Sequence, residues 1–336
     1  MCVLVIKAQR AIIRKPGSFD VFDFEDFDIG KVQDNDVVVK MNYAAMNHLD
    51  LWVRKGLPGV TYPIVPCSEG MGVVVARGKS VNSLKEGQRV LLSPGIGDYL
   101  SEDYGIHGET CNGTLSSHLK QKSNLWIPLD DSIDDRVAAA FPLSFLTSWN
   151  MVVRRCNVKK GDIVFIWGAG SGVGHAAGQI AKLHGAKIIG TARGSKISKL
   201  DSGFWDLLVD PKVDDVVGAV RNFSSKGVDI VVEHTGEKTW KRSLSILKRN
   251  GRLVTCGGTT GPIVKINLPH LFIKNQMIIG STMGSFEDLK NQILPRVSNG
   301  DLKVLIDREF DWKDIAQAHQ HLEESNAIGK VLLKIK

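Results

Sequence analysis

The stretch AMNHLDLWVRKG, residues 45–56, gathers polar side chains that could do chemistry. Asn47, His48 and Asp50 stand close together in it, with hydrophobic residues around them. Three kinds of site use such residues: a metal site, a proton relay, and a packed loop that happens to contain a histidine. The stretch alone leaves these three interpretations open.

A second chemical signal is the glycine-rich stretch GAGSGVG, residues 168–174. It follows an apolar run at residues 163–167 and precedes a helical pattern that Gly185 can cap. Glycines let backbone N–H groups approach a pyrophosphate, and the helix N-terminus then faces that negative charge. The order strand, glycines, helix and second strand predicts a dinucleotide-binding loop. Its predicted cofactor-binding residues are Gly168, Gly170, Ser171, Gly172, Val173 and Gly174.

The strand AKIIGTA, residues 186–192, bears on which dinucleotide binds. NAD-binding folds usually place Asp or Glu at the end of this second strand, for the ribose hydroxyls. Here the strand runs into Arg193, Gly194, Ser195 and Lys196, which include no acid. Arg193 and Lys196 could bind a 2′-phosphate. The sequence therefore favours NADP(H), and the alternative is that these two cations belong to a solvated loop.

The surrounding elements suggest two domains, as 336 residues would also suggest. Residues 1–130 contain short β segments that are broken by Gly, Pro and Asp, which is typical of a β-rich domain. From Gly161 onward strand and helix patterns alternate, as in VDIVVEHTG, EKTWKRSLSILKRNG and RLVTCGG. This alternation predicts an α/β domain with a parallel sheet. FDWKDIAQAHQHLEESNAIG then predicts an amphipathic helix, and KVLLKIK a last strand.

Composition narrows the class of protein. Hydrophobic residues make up 43% and charged residues 24%, which predicts a folded core. The net charge of +7 is dispersed rather than clustered, so we expect no nucleic-acid partner. No apolar run reaches the ~20 residues of a membrane helix, and we expect no membrane association. The five cysteines are irregularly spaced without a CxxC pair, which favours the cytoplasm.

Taken together, these stretches resemble the medium-chain dehydrogenase/reductase superfamily over nearly the whole chain. The resemblance includes NHLDLWVRKG, PCSEGMGVVVARG, FPLSFLTSWNMVV, GAGSGVG, NGRLVTCGG, IIGSTMGS and GKVLLKI. It implies a GroES-like, β-rich catalytic domain, residues 1–138 and 290–336. It also implies a Rossmann domain with a doubly wound parallel sheet, residues 139–289.

Within that superfamily the chain is most similar to zinc-less quinone oxidoreductases and to zinc-type alcohol dehydrogenase-like proteins. The family's zinc ligands would fall at Asn47, at Ser68 and near Leu143, and these residues make a poor zinc site. Leu49 and Trp52 stand where an alcohol proton relay needs a hydroxyl and a histidine. We therefore expect no catalytic zinc. The family's structural-zinc lobe carries four cysteines and the matching residues 93–113 contain only Cys111, so we expect no structural zinc either. An improvised metal site remains an alternative, and its candidate ligands are Cys67, Glu69, His107, Glu109 and Cys111.

The activity that the resemblance implies is NADPH-dependent, zinc-independent hydride transfer to a quinone or an activated α,β-unsaturated carbonyl. The predicted catalytic residues are Asn47 as a hydrogen-bond donor, Asp50 as an orienting group and Thr147 beside the nicotinamide ribose. Further predicted cofactor contacts are His48, Gly257 and Lys330, of which Lys330 is expected near the pyrophosphate. Tyr43 and Tyr62 are weaker candidates for a proton donor, and the source of the proton stays open.

Two alternatives remain open: an alcohol dehydrogenase with atypical metal ligands, and a non-catalytic NADP(H)-binding protein. The expected partner is a small carbonyl or quinone substrate. A homo-oligomer, either a dimer or a tetramer, is also expected, because LFIKNQMIIGSTMG could form an edge strand of the Rossmann sheet.

Overall fold

The computed structural model describes residues 6–200, 203–325 and 327–335. The chain divides into two compact units. The first unit takes the residues up to Leu143 together with those from Ser285 onward, and the second unit takes Ser144–Gly284. No helix within the described residues is long and apolar enough to cross a membrane.

The first part of the chain is mostly strands. They are β1 (Lys7–Ile13), β2 (Phe22–Asp28), β3 (Asp36–Met46), β4 (Glu69–Arg77), β5 (Arg89–Leu92), β6 (Gly95–Ile96), β7 (Gly105–Ile106), β8 (His118–Lys122) and β9 (Trp126–Pro128). Its helices are α1 (His48–Lys55), α2 (Asp135–Ala140) and α3 (Pro142–Trp149), and a π-helical segment, Asn150–Arg155, extends α3.

The second unit alternates strand and helix, and the chain then returns to the first unit. The elements of the second unit are β10 (Ile163–Ile166), α4 (Gly172–Leu183), β11 (Lys187–Thr191), α5 (Lys196–Lys199), β12 (Leu207–Val209), α6 (Val216–Phe223), β13 (Val228–Glu233), α7 (Glu237–Ile246), β14 (Leu247–Thr255), α8 (Leu268–Ile273) and β15 (Met277–Gly280). The returning segment contains α9 (Phe286–Asp288), α10 (Leu294–Ser298), β16 (Ile306–Asp311), α11 (Ile315–Glu323) and β17 (Lys330–Lys334).

The main sheet of the first unit has the strand order β16-β17-β3-β4-β5-β9, and β8 also pairs with β3. Strand β3 is central, and it pairs antiparallel with β17, β4 and β8. Most residues of DVVVKMNYAAM in β3 are buried, so the strand crosses the core of this unit. The returning strand β17 is buried as far as Leu333, and it therefore completes the core that the earlier strands begin.

The second unit is built on one six-stranded parallel sheet, in the order β12-β11-β10-β13-β14-β15. Its central strands are buried throughout or almost so. IVFI of β10 is a continuous apolar run, and VDIVVE of β13 is buried at every position although it contains Asp229 and Glu233. From β10 the chain builds outward through β11 and β12, and it then crosses to β13 on the other side of β10. This reversal is the switch point of a doubly wound sheet, and it lies beside the glycine loop. The predicted α/β class is confirmed.

Two predicted helix boundaries are wrong. The helix predicted over EKTWKRSLSILKRNG ends at Ile246, and the residues that follow begin strand β14. Leu247 is buried and pairs with Val228 of β13, so tertiary pairing extends the strand backward across a bulge. The helix predicted from Phe310 begins only at Ile315, because Phe310 and Asp311 pair with β17.

Candidate active site

The glycine loop connects β10 to α4 in a tight turn. Gly168 adopts φ +66°, a conformation that favours glycine. Ser171 caps α4: its Oγ accepts a hydrogen bond from Gly174 N at 2.9 Å and donates one to Gly168 O at 2.8 Å. A Cβ at Gly174 would lie 2.2 Å from Gly168 O, so only glycine allows helix and loop to pack this closely.

The loop leaves the N-terminus of a 12-residue helix available to an anion. The first amides of a helix, here those of Gly172 and Val173, have no acceptor within the helix. They point out of its positive end, where a pyrophosphate is stabilised. The residues of the loop therefore fit a dinucleotide. Their part in binding one remains a prediction.

Strand β11 holds the glycine loop through hydrogen bonds to Thr191. Gly168 N donates to Thr191 Oγ1 at 3.0 Å, and Ala169 N donates to the carbonyl of Thr191 at 2.7 Å. On the other side of β10, His234 follows β13 directly and contacts the residue before the loop. The His234 Nε2 lies 2.7 Å from the carbonyl of Trp167. Burial lowers the pKa of His234, so its ring is neutral and Nε2 carries the hydrogen that it donates.

Below His234, the buried carboxylate of Glu233 organises the end of β13. Its Oε1 accepts hydrogen bonds from Thr235 N, Gly236 N and Thr239 Oγ1 at 2.7–3.0 Å. Its Oε2 accepts one from Ser243 Oγ at 2.5 Å, and that hydroxyl accepts one from the Trp167 indole at 2.7 Å. His234 and Glu233 were missed from the sequence, although HTG directly after a buried strand was a signal.

The segment after β11 carries the residues that were assigned to a 2′-phosphate. Arg193 is exposed and Lys196 is partly buried at the start of α5. The structure adds a carboxylate there, because Thr191 of β11 pairs with Val209 of β12 and Asp210 follows directly. Asp210 accepts hydrogen bonds from Gly194 N at 2.7 Å and Lys212 N at 2.9 Å, and these lower its pKa. The sequence prediction missed Asp210, which comes from a different strand.

Two more predicted residues lie elsewhere in the second unit. Gly257 follows the carboxyl end of β14, and its N–H is 3.5 Å from Thr255 Oγ1. Because β13 and β14 are in register at Glu233 and Thr255, Gly257 lies at the same edge of the sheet as His234. Thr147 is buried on α3. The cofactor contacts that were assigned to Gly257 and Thr147 remain predictions.

In the first unit, Asp50 fixes the turn that leads into α1. Its Oδ2 accepts a hydrogen bond from Asn47 N at 2.7 Å, which is half of a capping box. Its Oδ1 accepts another from Cys67 N at 2.9 Å, where Cys67 adopts φ +69°. Burial raises the pKa of Asp50 to about 6, while the two amide hydrogen bonds act against that rise. Asp50 therefore fixes the backbone at Asn47 and Cys67, and its orienting role in catalysis remains a prediction.

The side chain of Asn47 belongs to a buried cluster with Glu69 and Lys330. Lys330 Nζ lies 2.6 Å from Glu69 Oε1 and 2.5 Å from Asn47 Oδ1. Asn47 Nδ2 donates to the same Glu69 oxygen at 2.8 Å, and Leu143 N donates to the other oxygen at 2.6 Å. Lys330 is 4% exposed and Glu69 is 0% exposed, whereas Asn47 is only partly buried.

Strand register explains why these three residues meet. Met46, the last residue of β3, pairs with Val331 of β17, which places Lys330 beside Asn47. Ala45 of β3 pairs with Glu69, the first residue of β4. The sequence comparison assigned Lys330 to the pyrophosphate, and the structure places its ammonium between Glu69 and Asn47. His48 is exposed at the start of α1, with its ring 6.0 Å from that of Trp52.

The residues at the expected zinc position do not fit a metal ion. A cation, the Lys330 ammonium, already contacts the Glu69 carboxylate, and the Asn47 amide oxygen is bonded to the same ammonium. Cys111 Sγ lies 3.5 Å from His107 Nδ1, and burial lowers the pKa of His107 to about 4. Within residues 6–200, 203–325 and 327–335, no three His, Cys, Asp or Glu side chains form a group that could hold a metal.

Comparison with known proteins matches two family models to different parts of the chain. The alcohol dehydrogenase GroES-like domain family matches residues 33–131, and the zinc-binding dehydrogenase family matches residues 172–299. Human quinone oxidoreductase is 27% identical over 318 residues, which cover 90% of this chain and 89% of that protein. The quinone oxidoreductase of Pseudomonas aeruginosa is 27% identical over 338 residues, which cover 97% of this chain and 99% of that protein.

Among solved structures, one described as an NAD-dependent alcohol dehydrogenase is 33% identical, with a TM-score of 0.93. The match covers 98% of this chain and 100% of that one. The chain belongs to the medium-chain dehydrogenase/reductase superfamily. It is an oxidoreductase whose relatives include quinone oxidoreductases, and its superfamily uses a nicotinamide cofactor.

Proposed function

We propose that this protein transfers hydride from NADPH to a quinone or an activated α,β-unsaturated carbonyl without a metal ion. The observation that carries the proposal is the Lys330 ammonium, held between Glu69 and Asn47, where Asn47 is the residue that the resemblance aligns with a zinc ligand. The similarity to quinone oxidoreductases over nearly the whole chain supports the same reaction class.

The cofactor supplies the hydride, and the residues of this chain supply binding and electrostatics. In the second unit, the amides at the start of α4 bind the pyrophosphate, and Arg193 with Lys196 bind the 2′-phosphate. In the first unit, Asn47 donates a hydrogen bond to the carbonyl oxygen of the substrate. Negative charge grows on that oxygen during hydride transfer, so a donor fixed in place lowers the barrier.

The first test measures NADPH oxidation by the purified protein over a panel of quinones and enones, together with its metal content. Turnover by metal-free protein that a chelator leaves unchanged is expected. No NADPH oxidation with any compound of the panel would favour a non-catalytic NADP(H)-binding protein. One specific observation favours another alternative, since the 33% identical structure is described as an alcohol dehydrogenase. Activity on alcohols that requires about one bound metal per chain would establish that alternative.

The choice of NADPH has its own test. We expect tighter binding of NADPH than of NADH in fluorescence titrations. Arg193→Ala should weaken NADPH binding by about tenfold and leave NADH binding unchanged, as loss of one charged phosphate contact would. Lys241→Ala removes an exposed cation from α7 and serves as the control. Equal affinity for both cofactors would contradict the assignment of Arg193.

The proposed assembly is a homo-oligomer formed through the outer edge of the parallel sheet. Among the described strands, β15 pairs only with β14, so its other edge is open. Apolar side chains cluster along the sequence before and within it, and they are largely exposed. They are Ile263, Leu268, Phe272, Ile273 and Met277. A second copy of the chain could pair with the edge strand and cover these residues.

Sedimentation tests the proposed assembly. Phe272→Glu should shift the protein toward monomer because it places a charge in the apolar contact. Val213→Glu is the control, since Val213 is as exposed but follows β12 at the opposite end of the sheet. A wild-type protein that sediments as a monomer would exclude the assembly.

The proposed compartment is the cytoplasm, whose reducing conditions suit the free thiols of Cys67, Cys111, Cys156 and Cys256.

A further inference from the structure

The Asn47 amide has one hydrogen available beyond its contacts in the buried cluster. Its oxygen accepts a hydrogen bond from Lys330, and one amide hydrogen bonds to Glu69. An Asn amide carries two hydrogens, and none of the described residues accepts the second. Asn47 is partly exposed while its two partners are buried, so it is the member of the cluster that a bound molecule can reach.

We propose that Lys330 is a positioning residue that strengthens this second hydrogen of Asn47 as a donor to a substrate oxyanion. The ammonium donates to the amide oxygen and draws electron density away from the amide nitrogen. Hydrogen bonds in such a chain polarise one another, most strongly where water is excluded. Glu69 holds both partners in place and balances the buried charge.

The inference rests on the proposed function, and it gives Lys330 a role different from contact with the pyrophosphate. A lysine that binds the pyrophosphate would change the affinity for the cofactor. A lysine that acts through Asn47 would change the stabilisation of negative charge on a substrate oxygen and leave cofactor affinity alone. These two roles are therefore separable by measurement.

The test uses the double variant Lys330→Met/Glu69→Gln, which removes the two charges together. A glutamine at position 69 can turn its amide so that its oxygen accepts from Leu143 N. Its nitrogen then takes the place of the oxygen that faces Asn47 Nδ2, and the Asn47 amide turns so that Oδ1 accepts from it. In the double variant, the Asn47 oxygen then accepts a hydrogen bond from a neutral amide in place of the Lys330 ammonium. Asn47→Ala and the triple variant complete a cycle, and Lys122→Gln is the control because Lys122 also pairs with a carboxylate of the same sheet.

Three quantities are measured for each protein: kcat with a saturating quinone, the affinity for 4-nitrophenolate followed by its visible absorbance, and the dissociation constant for NADPH. The phenolate is a stable oxyanion, so its binding needs no turnover. We expect Asn47→Ala to lower kcat by about a hundredfold, as loss of one oxyanion donor does. The double variant should lower kcat and phenolate affinity by about tenfold, since it replaces a charge-assisted bond by a neutral one. The dissociation constant for NADPH should not change.

In the Asn47→Ala background the double variant should have no further effect, because Lys330 acts through Asn47. Equal losses in both backgrounds would overturn the inference, and so would a loss confined to NADPH affinity. Wild-type protein that binds no phenolate would also overturn it. If the wild type turns over nothing on the panel, the proposed reaction fails. The phenolate affinities then still decide the role of Lys330.

Discussion

Replacing Lys330 with methionine would leave the buried carboxylate of Glu69 without its cation. The two side chains are 4% and 0% exposed, and 2.6 Å separates Lys330 Nζ from Glu69 Oε1. Breaking a buried ion pair by removing one partner costs about 3–5 kcal/mol, because the remaining charge is uncompensated. The same change also removes the hydrogen bond to Asn47. We expect Lys330→Met to lower the free energy of unfolding by that amount.

The partner substitution should restore most of the loss. Glu69→Gln removes the charge that Lys330→Met leaves behind, so the double variant should be more stable than Lys330→Met alone. The coupling free energy of the cycle should reach about 2 kcal/mol or more, near the upper end for residues in contact. Urea unfolding gives the free energies, and hydrogen exchange of peptides from β4 and β17 assigns the change to the first unit.

Lys122→Gln provides a matched control for the ion pair. Lys122 Nζ lies 2.6 Å from Asp36 Oδ1 in the same unit, but the side chain of Lys122 is 58% exposed. A pair that solvent screens contributes little, so this change should cost less than about 1 kcal/mol. The reasoning is refuted if Lys330→Met costs no more than this control, or if the double variant is no more stable than Lys330→Met.

Three further predictions concern protonation, cofactor choice and the loop. Burial raises the pKa of Asp50 to about 6, so the folded protein keeps a proton that the unfolded chain releases near pH 4. Stability should therefore fall by about 3 kcal/mol as pH rises from about 4 to 6, and Asp50→Asn should flatten that slope in urea titrations. An unchanged slope would mean that another group titrates. Asp210→Asn should raise the ratio of NADPH to NADH affinity, because it removes a negative charge close to the proposed 2′-phosphate site. A ratio that stays constant in fluorescence titrations would contradict this. Gly174→Ala should weaken NADPH binding by roughly tenfold or more, since its Cβ would meet Gly168 O at 2.2 Å and displace the loop that holds the pyrophosphate. Gly280→Ala, which meets nothing within 4 Å, is the control, and equal affinities in the two variants would contradict the prediction.

The glycine loop could be predicted from the sequence because its determinants are local. A buried strand appears as a short apolar run, a helix as a 3.6-residue period, and a tight turn as glycines between them. The structure places these elements as β10, Gly168–Gly174 and α4. The start of β14 could not be predicted in the same way. Leu247 lies in a strand because Val228, 19 positions earlier, pairs with it.

Local sequence patterns also could not predict the residues that reach the glycine loop from other strands. Asp210 and His234 each follow a different strand, and only the order β12-β11-β10-β13 shows that they stand on either side of β10. The residues that follow β11, Arg193–Lys196, include no acid. In the fold, the acid comes from the neighbouring strand, where β11 and β12 are in register at Thr191 and Val209.

The contact between Lys330 and Asn47 could not be predicted from the residues around Asn47. The resemblance predicts that Asn47 stands where a zinc thiolate would. Lys330 lies 283 positions away, and its ammonium meets Asn47 only through the register of β3 with β17. The carboxylate of Glu69 explains why a cation is needed beside it. A fully buried carboxylate with only two neutral donors would be costly, so Glu69 needs a positive charge beside it. The Lys330 ammonium supplies that charge. It also fixes the orientation of Asn47, so Glu69, Lys330 and Asn47 form one electrostatic arrangement.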